Sequence, residues 1–204
     1  MNTNLEHWHH NHRMYTIAIT GGIGSGKSVI STMLRIMGYR VYDSDSEAKL
    51  LMDSSADIKA RIAAEISASA ITEDGDIDRM ALGQCVFADA KALETLNRIV
   101  HTAVRNHFNT WRKGMDIAFI ETAIPYQSQI DRMVDEIWEV TAPDAVRISR
   151  VMKRNGLTAG QVQARIDAQR YTPASPHPCI YTIVNSMSEP VLPQLIGLLN
   201  QLPT

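Results

Sequence analysis

The sequence has few cysteines, few aromatic side chains and no surplus of either charge. Its two cysteines, Cys85 and Cys179, stand far apart and form no C-x-x-C pair. That excludes a disulfide framework and a thiolate zinc site, and it fits a reducing, cytoplasmic setting. Both are read as small buried side chains. Twenty Lys and Arg face 22 Asp and Glu, for a formal charge of −2. A nucleic-acid partner would ask for a basic excess, so none is expected. No apolar run approaches the roughly 20 residues that span a bilayer, and no membrane partner is expected either. The opening "MNTNLEHWHHNHR" lacks the apolar stretch of a signal peptide. It holds His7, His9, His10 and His12, four of the seven histidines. Residues 1–13 are read as a disordered leader, with a metal-binding tail as the alternative. Met14 stands immediately before the first strand and is the candidate start.

What remains is 204 residues of ordinary globular composition, enough for one well-buried domain with small insertions. A monomer or weak oligomer is expected. "YTIAIT" (15–20) is a β-branched run ending in glycines and reads as a buried strand. "KSVISTMLRIMG" follows as a helix with apolar Val29, Ile30, Met33, Leu34 and Met37, stopped by Gly38. Further strands are predicted at 39–45, 116–124, 135–143 and 179–186. The stretch from Ser46 to about Lys113 is mostly helical, an arginine-rich helical pair covers 144–171, and "PVLPQLIGLLNQL" closes the chain as a helix. Strands alternating with helices imply a parallel sheet covered on both faces. The expected class is α/β, a kinase-like P-loop fold with five strands.

Gly21, Gly26, Lys27 and Ser28 satisfy G-x-x-x-x-G-K-[ST], with a strand before and a helix after. Glycines let the backbone take positive φ and turn its N–H groups inward, and the helix N-terminus adds partial positive charge. ATP is therefore expected along Gly22, Ile23, Gly24, Ser25, Gly26, Lys27, Ser28 and Val29. Lys27 would reach the β and γ phosphates, and the Ser28 hydroxyl would ligate Mg²⁺. A regulatory GTPase would need N-K-x-D and D-x-x-G, and neither occurs; nor does the L-S-G-G-Q of an ABC ATPase. Glu121, at the end of the third strand, is a candidate for holding Mg²⁺ through water.

"YDSD" bears on the acceptor. Asp43 ends the second strand, and in open α/β sheets the carboxyl ends of the strands line the ligand crevice. A carboxylate there would repel a phosphate acceptor but serve an alcohol as base. The alternative for Asp43 and Asp45 is a turn or helix cap, with Asp45 capping a helix that starts near Ser46. Arg147, Arg150 and Arg154 recur at i, i+3 and i+7 on one helical face, and Thr158 can cap a second helix after "NGLT". A helical hairpin with one cationic face suits a lid over ATP, and a solvated basic surface is the plainer reading.

With these residues the sequence resembles the dephospho-CoA kinase family from Met14 to Asn185. The resemblance implies ATP-dependent phosphorylation of the ribose 3′-hydroxyl of dephospho-CoA. "TGGIGSGKS" is similar to the family's loop, and "VYDSD" to V-I-D-A-D, whose first aspartate, here Asp43, is the presumed base. "DGDIDRMAL" with "VF" places Arg79 at a substrate-side arginine, and "LNRIVHTAVR" places His101 at a substrate-side histidine. "RVMKRNGLTAGQVQARIDAQ" resembles the lid, with Arg150 and Arg154 as its arginines; "TIVNS" brings Asn185 near the adenine of ATP. The resemblance divides the chain into a nucleotide core (14–45, 114–146, 172–204), a substrate insertion (46–113) and a lid (147–171). Two departures stand out. Thr102 replaces a proline, and "TAIPY" replaces P-L-L-F-E, so that Tyr126 stands where a glutamate is usual. The rival readings are another alcohol-accepting small-molecule kinase of shikimate-kinase type and a nucleotide-binding module without an acceptor.

Overall fold

A computed structural model describes residues 14–186 and 188–203; the leader read over 1–13 lies outside the described residues. Five strands form one parallel sheet in the order β2-β3-β1-β4-β5: β1 Tyr15–Thr20, β2 Val41–Asp43, β3 Ile117–Glu121, β4 Glu136–Thr141 and β5 Ile180–Val184. The five-stranded parallel sheet is as expected. The central strand β1 is buried along almost its whole length, as its run of β-branched residues requires. The second strand is three residues long rather than the seven expected. Tyr39 N still donates to Leu34 O of the preceding helix, and Asp43 leaves the sheet to cap the next one.

Helix α1 (Lys27–Ile36) buries Ile30 and Leu34 against one face of the sheet. There Ile17, Ile19, Phe119, Trp138 and Ile183 form a core that the last helix, α8 (Val191–Leu199), covers through Leu195. Phe119 and Trp138 lie with ring centroids 5.3 Å apart. The other face packs Ala18, Ile120 and Ile137 against Phe108 and Val104. These two belong to α5 (Ala90–Trp111), a helix of 22 residues that Thr102 continues where a proline would have interrupted it.

Between β2 and β3 run α2 (Ser44–Ser54), α3 (Ala56–Glu65), α4 (Arg79–Ala88) and α5. Each begins on a short polar cap: Asp43, Ser55, Asp78 and Asp89 accept hydrogen bonds from the first-turn amides. These helices enclose a separate apolar cluster around Ile58, Ile62, Leu82 and Ile99. Between β4 and β5 lies the hairpin of α6 (Asp144–Asn155) and α7 (Ala159–Ala168). Gly156 ends α6 at φ 66, and Thr158 with Gln161 forms a reciprocal capping box, so the predicted cap is present.

Candidate active site

The carboxyl ends of the strands meet in a cleft of about 470 Å³ at the start of α1. The turn after β1 is built for close approach. Gly21 sits at φ 146 against Val140 O, Gly24 at φ 77 and Gly26 at φ 103. A Cβ on Gly26 would collide with Asn185 Nδ2. Gly26→Ala is therefore expected to lower stability by about 1–3 kcal/mol and to abolish stabilisation by ATP. Denaturant melts with and without nucleotide check this; a variant that melts like the parent in both conditions would contradict the packing described.

Gly22, Ile23, Gly24, Gly26, Lys27, Ser28 and Val29 all line the cleft. Ser25 does not, because its side chain is 1 % exposed beneath the loop. Helix α1 has no acidic residue in its first turn, which leaves its N-terminal field open to an anion. Lys27 Nζ donates to Gly21 O at 2.6 Å. Burial pushes the Lys27 ammonium below its ordinary value. Glu121 and Asp45 pull it back up, and Arg147 and Arg154 push it further down.

The two aspartates exchange the places expected of them. Asp43 Oδ1 accepts from Asp45 N and Ser46 N at 3.1 Å, and its Oδ2 accepts from Ser46 Oγ at 2.8 Å. It is the cap of α2, which starts at Ser44, and it does not line the cleft. Asp45 does, together with Glu121. Asp45 also borders an apolar recess of about 100 Å³ under α5, lined by Val104, Ile124 and Ile130. His101 stands on the recess and equally on a polar cavity of about 480 Å³ beside α5, which Arg98, Arg105 and Gln129 share. Burial, then the nearby Arg105, holds the His101 imidazole below its ordinary value, against an opposing backbone hydrogen bond at Gln127. Arg105 lies one turn beyond His101 and donates to Ser128 O at 2.7 Å and to Thr102 Oγ1 at 3.1 Å. Its i, i+4 spacing from His101 was the sequence signal that could have found it.

Arg150 and Arg154 both reach the cleft. The Arg150 guanidinium donates toward Ser25 O at 3.4 Å and to Asn185 O and Oδ1 at 3.2 Å. Asn185 Nδ2 in turn donates to Ser25 O at 2.8 Å. Although Asn185 borders the cleft, its carboxamide is engaged with the loop and with Arg150, and it serves as a strut of the cradle. Arg79 is not brought into this group. It pairs with Asp53 at 2.5 Å on the surface of the α2–α5 cluster and lines neither the cleft nor the two cavities. The neighbouring carboxylates are engaged elsewhere: Asp76 pairs with Lys59 and Asp78 caps α4. Tyr126, in the departure segment, accepts from His177 N at 3.2 Å and lies 6.2 Å from the Tyr171 ring. It ties the loop after β3 to the segment leaving α7.

The family model for dephospho-CoA kinase matches residues 15–188. The chain belongs to the dephospho-CoA kinase family. A dephospho-CoA kinase of Porphyromonas gingivalis is 35 % identical over 194 residues, 94 % of this chain and 96 % of that protein. The enzyme of Salinibacter ruber is 38 % identical over 161 residues, 76 % and 81 % of the two chains. Among solved structures, TT1252 from Thermus thermophilus superposes with a TM-score of 0.71 at 29 % identity, covering 94 % of this chain and all of that one. Dephospho-CoA kinase from Campylobacter jejuni shares the fold at a TM-score of 0.60 and 19 % identity, covering 91 % and 96 %. The reaction of the dephospho-CoA kinase family is ATP-dependent phosphorylation of dephospho-CoA, in coenzyme A biosynthesis. The acceptor of such a reaction is an alcohol, which agrees with a cleft lined by the carboxylates of Asp45 and Glu121.

Proposed function

We propose that the ribose 3′-hydroxyl of dephospho-CoA reaches the γ-phosphoryl of ATP across Asp45. The observation that carries this reading is the position of Asp45. It borders both the phosphate cleft and the apolar recess, and the recess shares His101 with the wall of the polar cavity. In this reading the adenosine of dephospho-CoA sits under α5. Arg105 and Arg98 then face its diphosphate, as guanidinium forks do. The Asp45 carboxylate accepts the hydroxyl proton as the oxygen attacks phosphorus. ADP leaves from the cradle, where Lys27 and Arg150 offset the charge on the transferring group. Asp43 acts at one remove, by fixing the first turn of α2 and with it Asp45.

Mg²⁺ fits the same cleft, because exposed Ser28 at the start of α1 and Glu121 at the end of β3 both line it. Ser28 would hold it directly and Glu121 through water, and when bound it would supply positive charge that neutralises the phosphates. In these terms residues 46–113 are the acceptor insertion, 147–171 the lid, and 14–45, 114–146 and 172–204 the nucleotide core. Two free cysteines fit a cytoplasmic enzyme. Among the described residues no helix is long and apolar enough to cross a membrane.

ADP formation measured in parallel with dephospho-CoA, shikimate and nucleosides separates this reading from its rivals. Only dephospho-CoA is expected to raise the rate above the acceptor-free background. An equal response to shikimate would point to the broader alcohol kinase, and no response to any acceptor would point to a nucleotide-binding module.

A further inference from the structure

Besides the Arg150 contact to Ser25 O, the α6–α7 hairpin is fastened to the phosphate loop at Ile23, through that residue's side chain, N–H and carbonyl. The Ile23 side chain packs into the hairpin's own apolar core with Val151, Val162 and Ile166. Its N–H donates to Gln169 Oε1 at 2.6 Å, and Gln169 is the residue that ends α7. Its carbonyl accepts from Arg147 Nε at 3.0 Å, on α6. The flanking glycines make room for this docking. A Cβ on Gly22 would run into the Arg147 guanidinium, and one on Gly24 would come within 2.7 Å of Arg147 O. The glycines at 22 and 24 thus admit a helix as well as a phosphate. In sequence Arg147 looked like one more cation of the lid face. In the structure its guanidinium is held by Ile23 O and by Asp144 Oδ1 at 3.0 Å, so it is spent on protein rather than offered to solvent.

We propose that Ile23 is the joint through which the hairpin sets the geometry of the phosphate cradle, with Gln169 and Arg147 as its positioning residues. A residue clamped at N–H, C=O and side chain cannot rotate independently of the two helices that clamp it. Any swing of the hairpin is therefore passed to Ile23 and to the loop amides beyond it, in the stretch where Gly24 and Gly26 line the cleft. Conversely, a phosphate that orders those amides favours the hairpin position in which all three attachments are made. The effect is confined to the nucleotide side, because neither Gln169 nor Arg147 borders the recess or the polar cavity on α5. This inference rests on the reading of the cleft as the ATP site, but not on the identity of the acceptor.

The test compares Gln169→Met, which keeps the length and removes the acceptor oxygen, with Arg147→Met and Arg147→Lys. For each, the affinity for a non-hydrolysable ATP analogue, the KM values for ATP and dephospho-CoA, and the melting temperature are measured. Each Met variant is expected to weaken analogue binding and raise KM for ATP about 3- to 10-fold, the range set by one hydrogen bond. KM for dephospho-CoA should stay within about twofold, since that site is untouched. Arg147→Lys, which can still donate to Ile23 O, should recover most of the loss. The double variant Gln169→Met/Arg147→Met should lose less than the product of the two single effects, because both act on one residue. Lower melting temperatures with unchanged analogue affinity would show a purely structural contact and overturn the proposal. So would equal rises in both KM values, or multiplicative effects in the double variant. Analogue affinity is read without any acceptor, so a parent enzyme that fails to make coenzyme A would contradict the acceptor assignment and leave this test standing.

Discussion

Asp45→Asn is expected to lower kcat by a factor on the order of 10²–10⁴ while nucleotide affinity stays within a few-fold. The amide cannot take a proton, yet it leaves the size and polarity of the cleft wall nearly unchanged. Asp43→Asn is the informative companion. Asparagine caps helices about as well as aspartate, so α2 should keep its first turn and Asp45 its place. Turnover should then fall less than about tenfold, with a small change in stability. Steady-state rates of both variants, with melting curves as a folding control, check this. A collapse of kcat in Asp43→Asn with near-normal turnover in Asp45→Asn would return the base to Asp43, where the sequence pattern alone put it.

Lys27→Met is expected to lower kcat/KM for ATP by about 10²–10³, the usual loss when one positioned charge donor is removed from a transferring group. Methionine preserves the apolar stem in a half-buried position and removes only the ammonium. The parent's pH dependence adds a second signature. Burial depresses the Lys27 ammonium in the free enzyme, and the phosphates of a bound nucleotide favour its charged form and raise it again. The bound state then holds more proton than the free state between those two values. Nucleotide affinity must therefore fall as pH rises through the depressed value toward the ordinary lysine value, and binding in that window takes up protons. Calorimetry in two buffers of different ionisation enthalpy measures the uptake. It should be present in the parent and absent in Lys27→Met; uptake that survives the substitution would assign it to another group.

The loop that lines the cleft was legible in the sequence because it is local. Gly21 to Val29 are contiguous, their spacing fixes the loop, and the strand and helix on either side follow from β-branched and 3.6-residue patterns. The capping box at Thr158 and the arginine periodicity of α6 were legible for the same reason. The side we propose for the acceptor was harder because it is assembled from a distance. Which of Asp43 and Asp45 faces the cleft depends on where α2 begins, and a shift of two residues there exchanges their roles. Asn185 borders the cleft, but its bonds to Ser25 and Arg150 exist only once β5 has been laid next to β4. Arg79 follows the motif but points to Asp53, since α4 packs on the far side of the helical cluster. Gln169 gave no signal, because one carboxamide at a helix end has no pattern to betray it. Tyr126 was noticed only as a departure, and its hydrogen bond to His177 links segments 51 residues apart.

The central claim is that the cleft joins ATP to a single hydroxyl of dephospho-CoA. The most direct measurement is ³¹P NMR of the product formed by the purified protein from ATP and dephospho-CoA. One new phosphomonoester on the ribose 3′ carbon, formed in equal amount to ADP, is the predicted result. ADP accompanied only by inorganic phosphate, or a phosphate on any other hydroxyl of the acceptor, would contradict it.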